Sequence, residues 1–159
     1  MSLILRPVRA TDRAFLLHLF IQVRPDLAAL PLPAEARQHM IDMQFNAQDR
    51  GYADGFPFAS HDIVVARGQD VGQIRVDRGA EAIHLIDVSL LAAAQGQGLG
   101  SSILRDLQTE AAAEGLPVGL SVQHGNRAAD LYRRMGFTVT DDNGVHLAME
   151  WRAAGSAPS

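Results

Sequence analysis

The chain has 159 residues, close to half of them apolar, and a formal net charge of -4 at pH 7. That length and apolar content suit one domain with its own core, and nothing calls for a second. Cysteine is absent, which excludes disulfides, thiolate nucleophiles and cysteine-held zinc, and the acidic balance, with no basic run longer than Arg133 and Arg134, gives no electrostatic footprint for nucleic acid or an anionic membrane.

Residues 3–9 read as a short strand closed by Ala10, Thr11 and Asp12, with Thr11 placed to cap a helix over 12–24. Phe15, Leu16, Leu19, Phe20 and Val23 line one side of that helix, the spacing of an element that packs on a sheet. Pro25 ends or kinks it. No apolar run approaches the roughly eighteen residues of a membrane span, and the first residues lack the basic region, apolar core and cleavage site of a signal peptide. The expected location is the cytoplasm, and the expected partners are small molecules or protein termini.

A proline-spaced linker over 30–33 precedes a second helix from 34 to about 48, with Met40, Ile41, Met43 and Phe45 as its apolar face and Gly51 as its close. Residues 52–58, YADGFPF, read as an aromatic loop. The apolar runs 61–66 and 71–77, on either side of Arg67, Gly68, Gln69 and Asp70, read as a hairpin.

From Ala82 the chain reads AIHLIDVSLLAAAQGQGLGSSIL. Ile83, Leu85 and Val88 belong to a strand whose apolar run ends in Leu90 and Leu91. Three alanines and a glycine loop follow, then a helix beginning at 100 or 101 and running to 114. Ile103, Leu104, Leu107 and Ala111 face inward, and Gly115 is its stop. The loop is Gln95, Gly96, Gln97, Gly98, Leu99 and Gly100. Its alternate glycines let the backbone curl and approach a ligand without Cβ interference, while the first N–H groups of the helix, which no helical carbonyl can reach, point out of its N-terminus. Such a loop suits an anion, above all a phosphate. A dinucleotide fingerprint fails on spacing, because glycine is needed where Ser101 or Ile103 stands, and a P-loop fails because no lysine lies nearby.

Residues 118–123 form a short strand, Asn126 or its neighbour caps a helix to Met135, and Gly136 ends it. Residues 137–140 and 145–151 are the last strands, joined through Asp141, Asp142, Asn143 and Gly144, where Asn-Gly is a strong hairpin signal. Residues 153–159 have too little apolar content to pack and read as a frayed tail, leaving one domain over 1–152. His18, His39, His61 and His146 show no metal-ligand spacing, and no metal is expected. Gly119, Leu120 and Ser121 start a nucleophile elbow without its closing glycine, which argues against a serine hydrolase. The element order gives an α/β (α+β) chain with helices covering a mostly antiparallel sheet.

Gln95, Gly98 and Gly100 stand in the pattern Q-x-x-G-x-G. This resembles the coenzyme A loop of the GCN5-related N-acetyltransferase (GNAT) superfamily, and residues 126–137, NRAADLYRRMGF, resemble that family's later motif. The resemblance spans 3 to about 152. It implies a sheet of about six to seven strands flanked by about four helices. The strands carrying 83–91 and 118–123 lie parallel in that fold and splay apart into a wedge for the cofactor. It also implies transfer of an acetyl or other short acyl group from acetyl-CoA to a primary amine of a small molecule or peptide, by direct attack. The family's cofactor contacts fall on Leu90, Leu91, Gln95, Gly96, Gln97, Gly98, Leu99, Gly100, Ser101, Asn126 and Tyr132.

Amide formation from a thioester needs an uncharged amine, a stabilised oxyanion and a proton for the departing thiolate. The family's oxyanion donor is a backbone N–H near the end of the central strand, matching Leu90 and Leu91. Its proton donor matches Tyr132, whose alternative role is packing beside Leu131 and Met135. Asn126 can cap its helix, bond the pantetheine arm, or both. For the general base Asp87 ranks ahead of His84, Ser89, His124 and a water chain. Two departures stand out: Ala92 replaces a frequent proline, and Gln95 replaces a frequent arginine, keeping a hydrogen bond to phosphate without the charge. A catalytically silent coenzyme A-binding or protein-interaction module of the same fold is the alternative, and monomer and homodimer both stay open.

Overall fold

The computed structural model of the protein describes residues 3–155. Twelve helices and strands run in the order β1 (Leu3–Pro7), α1 (Arg13–Val23), α2 (Pro25–Ala28), α3 (Ala34–Gly55), β2 (Ser60–Ala66), β3 (Gln69–Arg78), β4 (Ile83–Leu90), α4 (Leu99–Glu114), β5 (Val118–Gln123), α5 (Ala128–Arg134), β6 (Thr138–Asp142) and β7 (His146–Trp151). The strands make one mixed, mostly antiparallel sheet in the order β1-β2-β3-β4-β5-β7-β6, with β4 and β5 parallel. Two compact units divide the chain. The first runs through Arg75 and takes up Asp87–Ala94; the second comprises Val76–Ile86 and the described residues from Gln95 on. Of the expected tail, 156–159 lie outside the described residues, as do Met1 and Ser2.

In the first unit β1 pairs antiparallel with β2, from Leu3 opposite Ala66 to Pro7 opposite Asp62. Proline is tolerated at this strand end because β1 is an edge. The chain then turns on Asp12, not on Thr11 as expected. Asp12 accepts the Arg9 N–H at 2.7 Å and a bidentate pair from Arg6 at 2.8 and 3.0 Å, and α1 has no side-chain cap. Phe20 of α1, Leu27 of α2 and Ile41 of α3 form a small core, with Leu17, Ile21, Leu30 and Phe45 packed against it. The rings of Phe20 and Phe45 meet edge to face at 5.5 Å, a geometry favourable to both quadrupoles.

α3 corrects the expected stop at Gly51. It runs through that glycine to Gly55, so Tyr52, Ala53 and Asp54 are helical and the aromatic loop shrinks to 56–59. A mid-helix glycine costs only about 1 kcal/mol, and anchors flank this one: Asp49 pairs with Arg75, whose guanidinium lies 5.1 Å from the Tyr52 ring centre. Between β2 and β3 the turn is two residues long, shorter than the four expected. Arg67 (φ 52°) and Gly68 (φ 75°) both adopt the left-handed conformation that a two-residue primed hairpin requires.

In the second unit β5 pairs with β7 over its whole length, from Val118 opposite Trp151 to Gln123 opposite His146. The parallel ladder with β4 covers only Ile83, His84 and Leu85 against Val118, Gly119 and Leu120. The core is built from alternate strand residues, Ile83 and Leu85, Val118, Leu120 and Val122, Leu147 and Met149, and from α4, which buries Leu99, Ile103, Leu104, Leu107 and Ala111. Gly115 closes α4 in the left-handed conformation, and Leu116 N–H returns to the Ala111 carbonyl at 2.9 Å, a helix end of the kind glycine favours.

α5 is shorter than the helix expected from Asn126. Gly136 (φ 94°) follows it, and a Cβ there would lie 3.2 Å from Trp151 Cδ1, so both torsion and space call for glycine. β6 starts at Thr138, and Asp141 and Asp142, expected in the turn, lie within it. A register shift between Val139 and Asp141 accommodates them. Asn143 Oδ1 accepts the N–H groups of Val145 and His146, so the side chain supplies the turn that the Asn-Gly pair announces.

Candidate functional site

The glycine loop lies in the second unit and leads straight into α4. Gly96 (φ 78°) and Gly98 (φ 79°) are left-handed, and a Cβ on either would meet nothing within 4 Å. Gly98 is the N-cap of α4 and no side chain caps the helix. The first helical bond runs from Ser102 N–H to the Gly98 carbonyl at 3.0 Å, so the helix leaves the N–H groups of Leu99, Gly100 and Ser101 without a partner among the described residues. Leu99 is buried and roots this end in the core. A Cβ on Gly100 would stand 3.2 Å from Leu131 Cδ2, so the absence of a side chain lets the start of α4 come close to α5. Bare amides at the positive end of a sixteen-residue helix, beside two open glycines, can take a multiply charged phosphate group.

On α5, Tyr132 is buried and its ring centre lies 5.8 Å from that of Phe137. Asn126 Oδ1 accepts the Ala128 N–H at 2.9 Å, which is the capping role; its side-chain NH2 has no partner among the described residues. His124, at the end of β5, bonds Asp142 at 2.6 Å, and that bond holds the Asp142 carboxyl below the usual carboxylate range. His84 is half-buried, and burial pushes its pKa down.

The other expected residues belong to the first unit. Gln73 Nε2 donates to Asp87 Oδ2 and to Ser89 Oγ, each at 2.9 Å, so one side chain on β3 ties together the two candidates on β4. Gln73 Oε1 is held in turn by His61 Nε2 at 2.9 Å. Burial pushes the Asp87 carboxyl up; the Gln73 bond and the Arg75 charge oppose it. Tyr52 is pushed up to about 12, first by burial and then by Asp87. Leu90 ends β4. The Leu91 N–H, expected as an oxyanion donor, is already bonded to the Val71 carbonyl at 2.8 Å. Ala92 N–H, which proline would lack, donates to Gln22 Oε1 at 2.8 Å.

Gln73 and Arg75 had not been singled out from the sequence; His61 was weighed only as a metal ligand and Tyr52 only as part of an aromatic loop. The available signal was Gln73, Arg75 and Asp77 at alternate positions of the strand, which places polar groups on one sheet face. Among the described residues no group of three or more His, Asp or Glu side chains could hold a metal, and no helix is long and apolar enough to cross a membrane.

Residues 59–139, just over half of the chain, match the family model described as Acetyltransferase (GNAT) domain. No curated protein matches the sequence. Among solved structures the chain is similar to paia N-acetyltransferase from Thermoplasma acidophilum in complex with coenzyme A, with 18% identity, 96% of this chain and 100% of that one covered, and a TM-score of 0.70. An acetyltransferase from Thermus thermophilus gives 20% identity, 96% and 98% coverage and a TM-score of 0.70. Naa50 from Arabidopsis thaliana, in complex with the bisubstrate analogue CoA-Ac-MVNAL, gives 19%, 96% and 100%, and 0.62. Similarity at these identities concerns the fold.

Proposed function

Because the chain belongs to the acetyltransferase (GNAT) domain family, we propose that it transfers an acetyl or short acyl group from acetyl-CoA to a primary amine of a small molecule or peptide. The observation that carries this reading is the trio of unpartnered N–H groups at Leu99, Gly100 and Ser101 behind two left-handed glycines. They bind the pyrophosphate of the thioester substrate, and Gln95 adds an uncharged donor. The side-chain NH2 of Asn126 bonds the pantetheine arm while its oxygen keeps capping α5. Structures of paia N-acetyltransferase with coenzyme A and of Naa50 with its bisubstrate analogue support this assignment by analogy of fold.

In the transfer, Asp87 takes the proton that the amine gives up and Tyr132 supplies one to the leaving sulfur. The N–C bond forms first, giving a tetrahedral oxyanion, and the C–S bond breaks as that intermediate collapses, so amine and thioester become amide and free thiol. The oxyanion donor is assigned to the backbone at Leu90, the end of β4; the Leu91 N–H is bonded to the Val71 carbonyl. The chain has no cysteine for a thiol acyl-enzyme, which leaves direct attack. A carboxylate pushed up by burial is a better base near neutral pH than an exposed one. A single domain over 1–152 is part of this proposal.

Calorimetry with acetyl-CoA and with coenzyme A tests the reading first: heat is expected with both, and none at millimolar ligand ends it. Gly98→Val forces a β-branched residue into the left-handed conformation and displaces the amides, so affinity should fall on the order of 10-fold. The burial of the Tyr132 ring favours a second reading, a coenzyme A-binding module without catalysis. Tyr132→Phe separates the two. As an acid, Tyr132 is worth roughly 10²-fold in kcat with ligand affinity unchanged; in a silent module the substitution changes neither.

A further inference from the structure

The amide of Gln73 has three polar positions, and each is used. Two N–H groups go to Asp87 and Ser89, and the carbonyl goes to His61. Gln73 is buried, so a lost partner leaves a buried polar group unpaired at a cost. A glutamine amide can be turned over in place, which would set its oxygen against the Asp87 carboxylate. The Asp87 carboxylate, which when ionised can only accept, decides against that arrangement, and His61 matches it by donating to the amide oxygen. Burial, and after it the Arg75 charge, push the pKa of His61 down, so near neutral pH the ring carries one N–H. The bond to Gln73 Oε1 requires that hydrogen on Nε2. The ring nitrogen therefore donates to the amide oxygen, and the amide NH2 is left facing β4.

Close approach of the strands makes the span possible. A Cβ on Gly72 would lie 2.3 Å from the Ser89 carbonyl oxygen, so only glycine fits there. The charged and titratable groups acting on Asp87 or feeling it are Tyr52 from α3 and Arg75 from β3, and His61 from β2 reaches it through Gln73. Arg75 is turned to Asp49 and to the Tyr52 ring, so the directional bond from a side chain to the Asp87 carboxylate comes from glutamine and not from the nearby cation.

We infer that Gln73, oriented by His61, is a positioning residue that aims the Asp87 carboxylate and keeps it ionised against the pull of burial, and this rests on the reading of Asp87 as the base of acetyl transfer. A neutral donor suits this role, since an arginine at the same distance would hold the carboxylate too far down for it to accept a proton readily. Ser89, bonded to the second N–H, fixes the amide plane.

The test is the titration of the Asp87 carboxyl carbon, followed by NMR in the full chain, beside the pH profile of kcat/KM for acetylation of propylamine. In Gln73→Met, which keeps the length and removes the amide, the Asp87 midpoint should rise by about one unit. The acid limb of the profile should rise with it while KM for acetyl-CoA stays put. His61→Leu should give a smaller shift in the same direction, and His61→Gln, which retains an N–H for the amide oxygen, should restore the parent midpoint. An unmoved midpoint in folded Gln73→Met and His61→Leu overturns the inference. So does a midpoint that moves without the acid limb. If the parent protein gives no heat with acetyl-CoA, the functional reading falls and this inference with it; if the parent binds and transfers while the variants titrate like it, the inference falls alone.

Discussion

At the scale of single residues, the tie between Gln22 and Ala92 shows how a sequence departure is compensated. Proline, frequent at this place in the family, has no N–H; Ala92 has one, and Gln22 Oε1 accepts it at 2.8 Å. Gln22→Ala should destabilise by about 0.5–1 kcal/mol, whereas Ala92→Pro should be near neutral, because Pro suits the first position of the short 3-10 turn over Ala92–Ala94. In the double mutant the effect of Gln22→Ala should shrink to what its bond to His18 contributes, a coupling that a urea-denaturation cycle would detect; simple additivity would refute the compensation. Asp12 carries the matching electrostatic case. Its bonds to Arg6, and after them the Arg9 N–H, lower its pKa from 3.8 to about 2. A lowered carboxyl pKa gives stability that is present above the unfolded value and lost as pH falls through the folded one. Acid unfolding should therefore steepen between about pH 4 and pH 2, and Asp12→Asn should flatten that part of the curve while lowering stability at neutral pH.

At the scale of elements, two glycines with opposite roles separate tolerance from requirement. Gly51 sits inside α3 with nothing within 4 Å of a would-be Cβ, while Gly136 has φ 94° and Trp151 at 3.2 Å. Gly51→Ala should stabilise by about 0.5–1 kcal/mol. Gly136→Ala should destabilise by about 1–2 kcal/mol from the torsion alone, with the indole contact adding to it; chemical denaturation reads both. The same pair shows where sequence reasoning reached and where it stopped. Gly115 and Gly136 were legible as helix ends, and β5 over Val118–Gln123 was legible to the residue, because alternation and glycine are local signals. Gly51 was not legible, because the groups that carry α3 past it are Asp49 and Tyr52 meeting Arg75 from another strand. Gln73 was missed for the same reason. Its three partners lie on β2 and β4, and one sequence does not say which side chains face each other across strands. The turn over 95–100 was legible because glycine is a local signal, and Gly96 and Gly98 both adopt the left-handed conformation.

At the scale of the whole molecule, ligand linkage connects the site to stability. The chain's one tryptophan, Trp151, ends β7 in the second unit, which also holds the glycine loop and α5. Tryptophan fluorescence therefore reports the unit expected to grip the thioester's phosphates, while far-ultraviolet circular dichroism reports helices and strands of both. A ligand present at about 100 times its Kd adds roughly 2.7 kcal/mol to the state that binds it, which in a chain of this size raises Tm by roughly 5–10 °C. If the units unfold together, acetyl-CoA should raise both midpoints equally. If they unfold separately, the fluorescence midpoint should rise and part of the dichroism transition should stay behind. In either case Gly98→Val, whose strain lies at the N-cap of α4, should shrink the shift at fixed ligand concentration by about the tenfold loss in affinity, close to 1.4 kcal/mol. A fluorescence midpoint unmoved by saturating acetyl-CoA would mean that the amides of Leu99, Gly100 and Ser101 do not hold that substrate, and the assignment of the loop would have to be given up even though the fold stands.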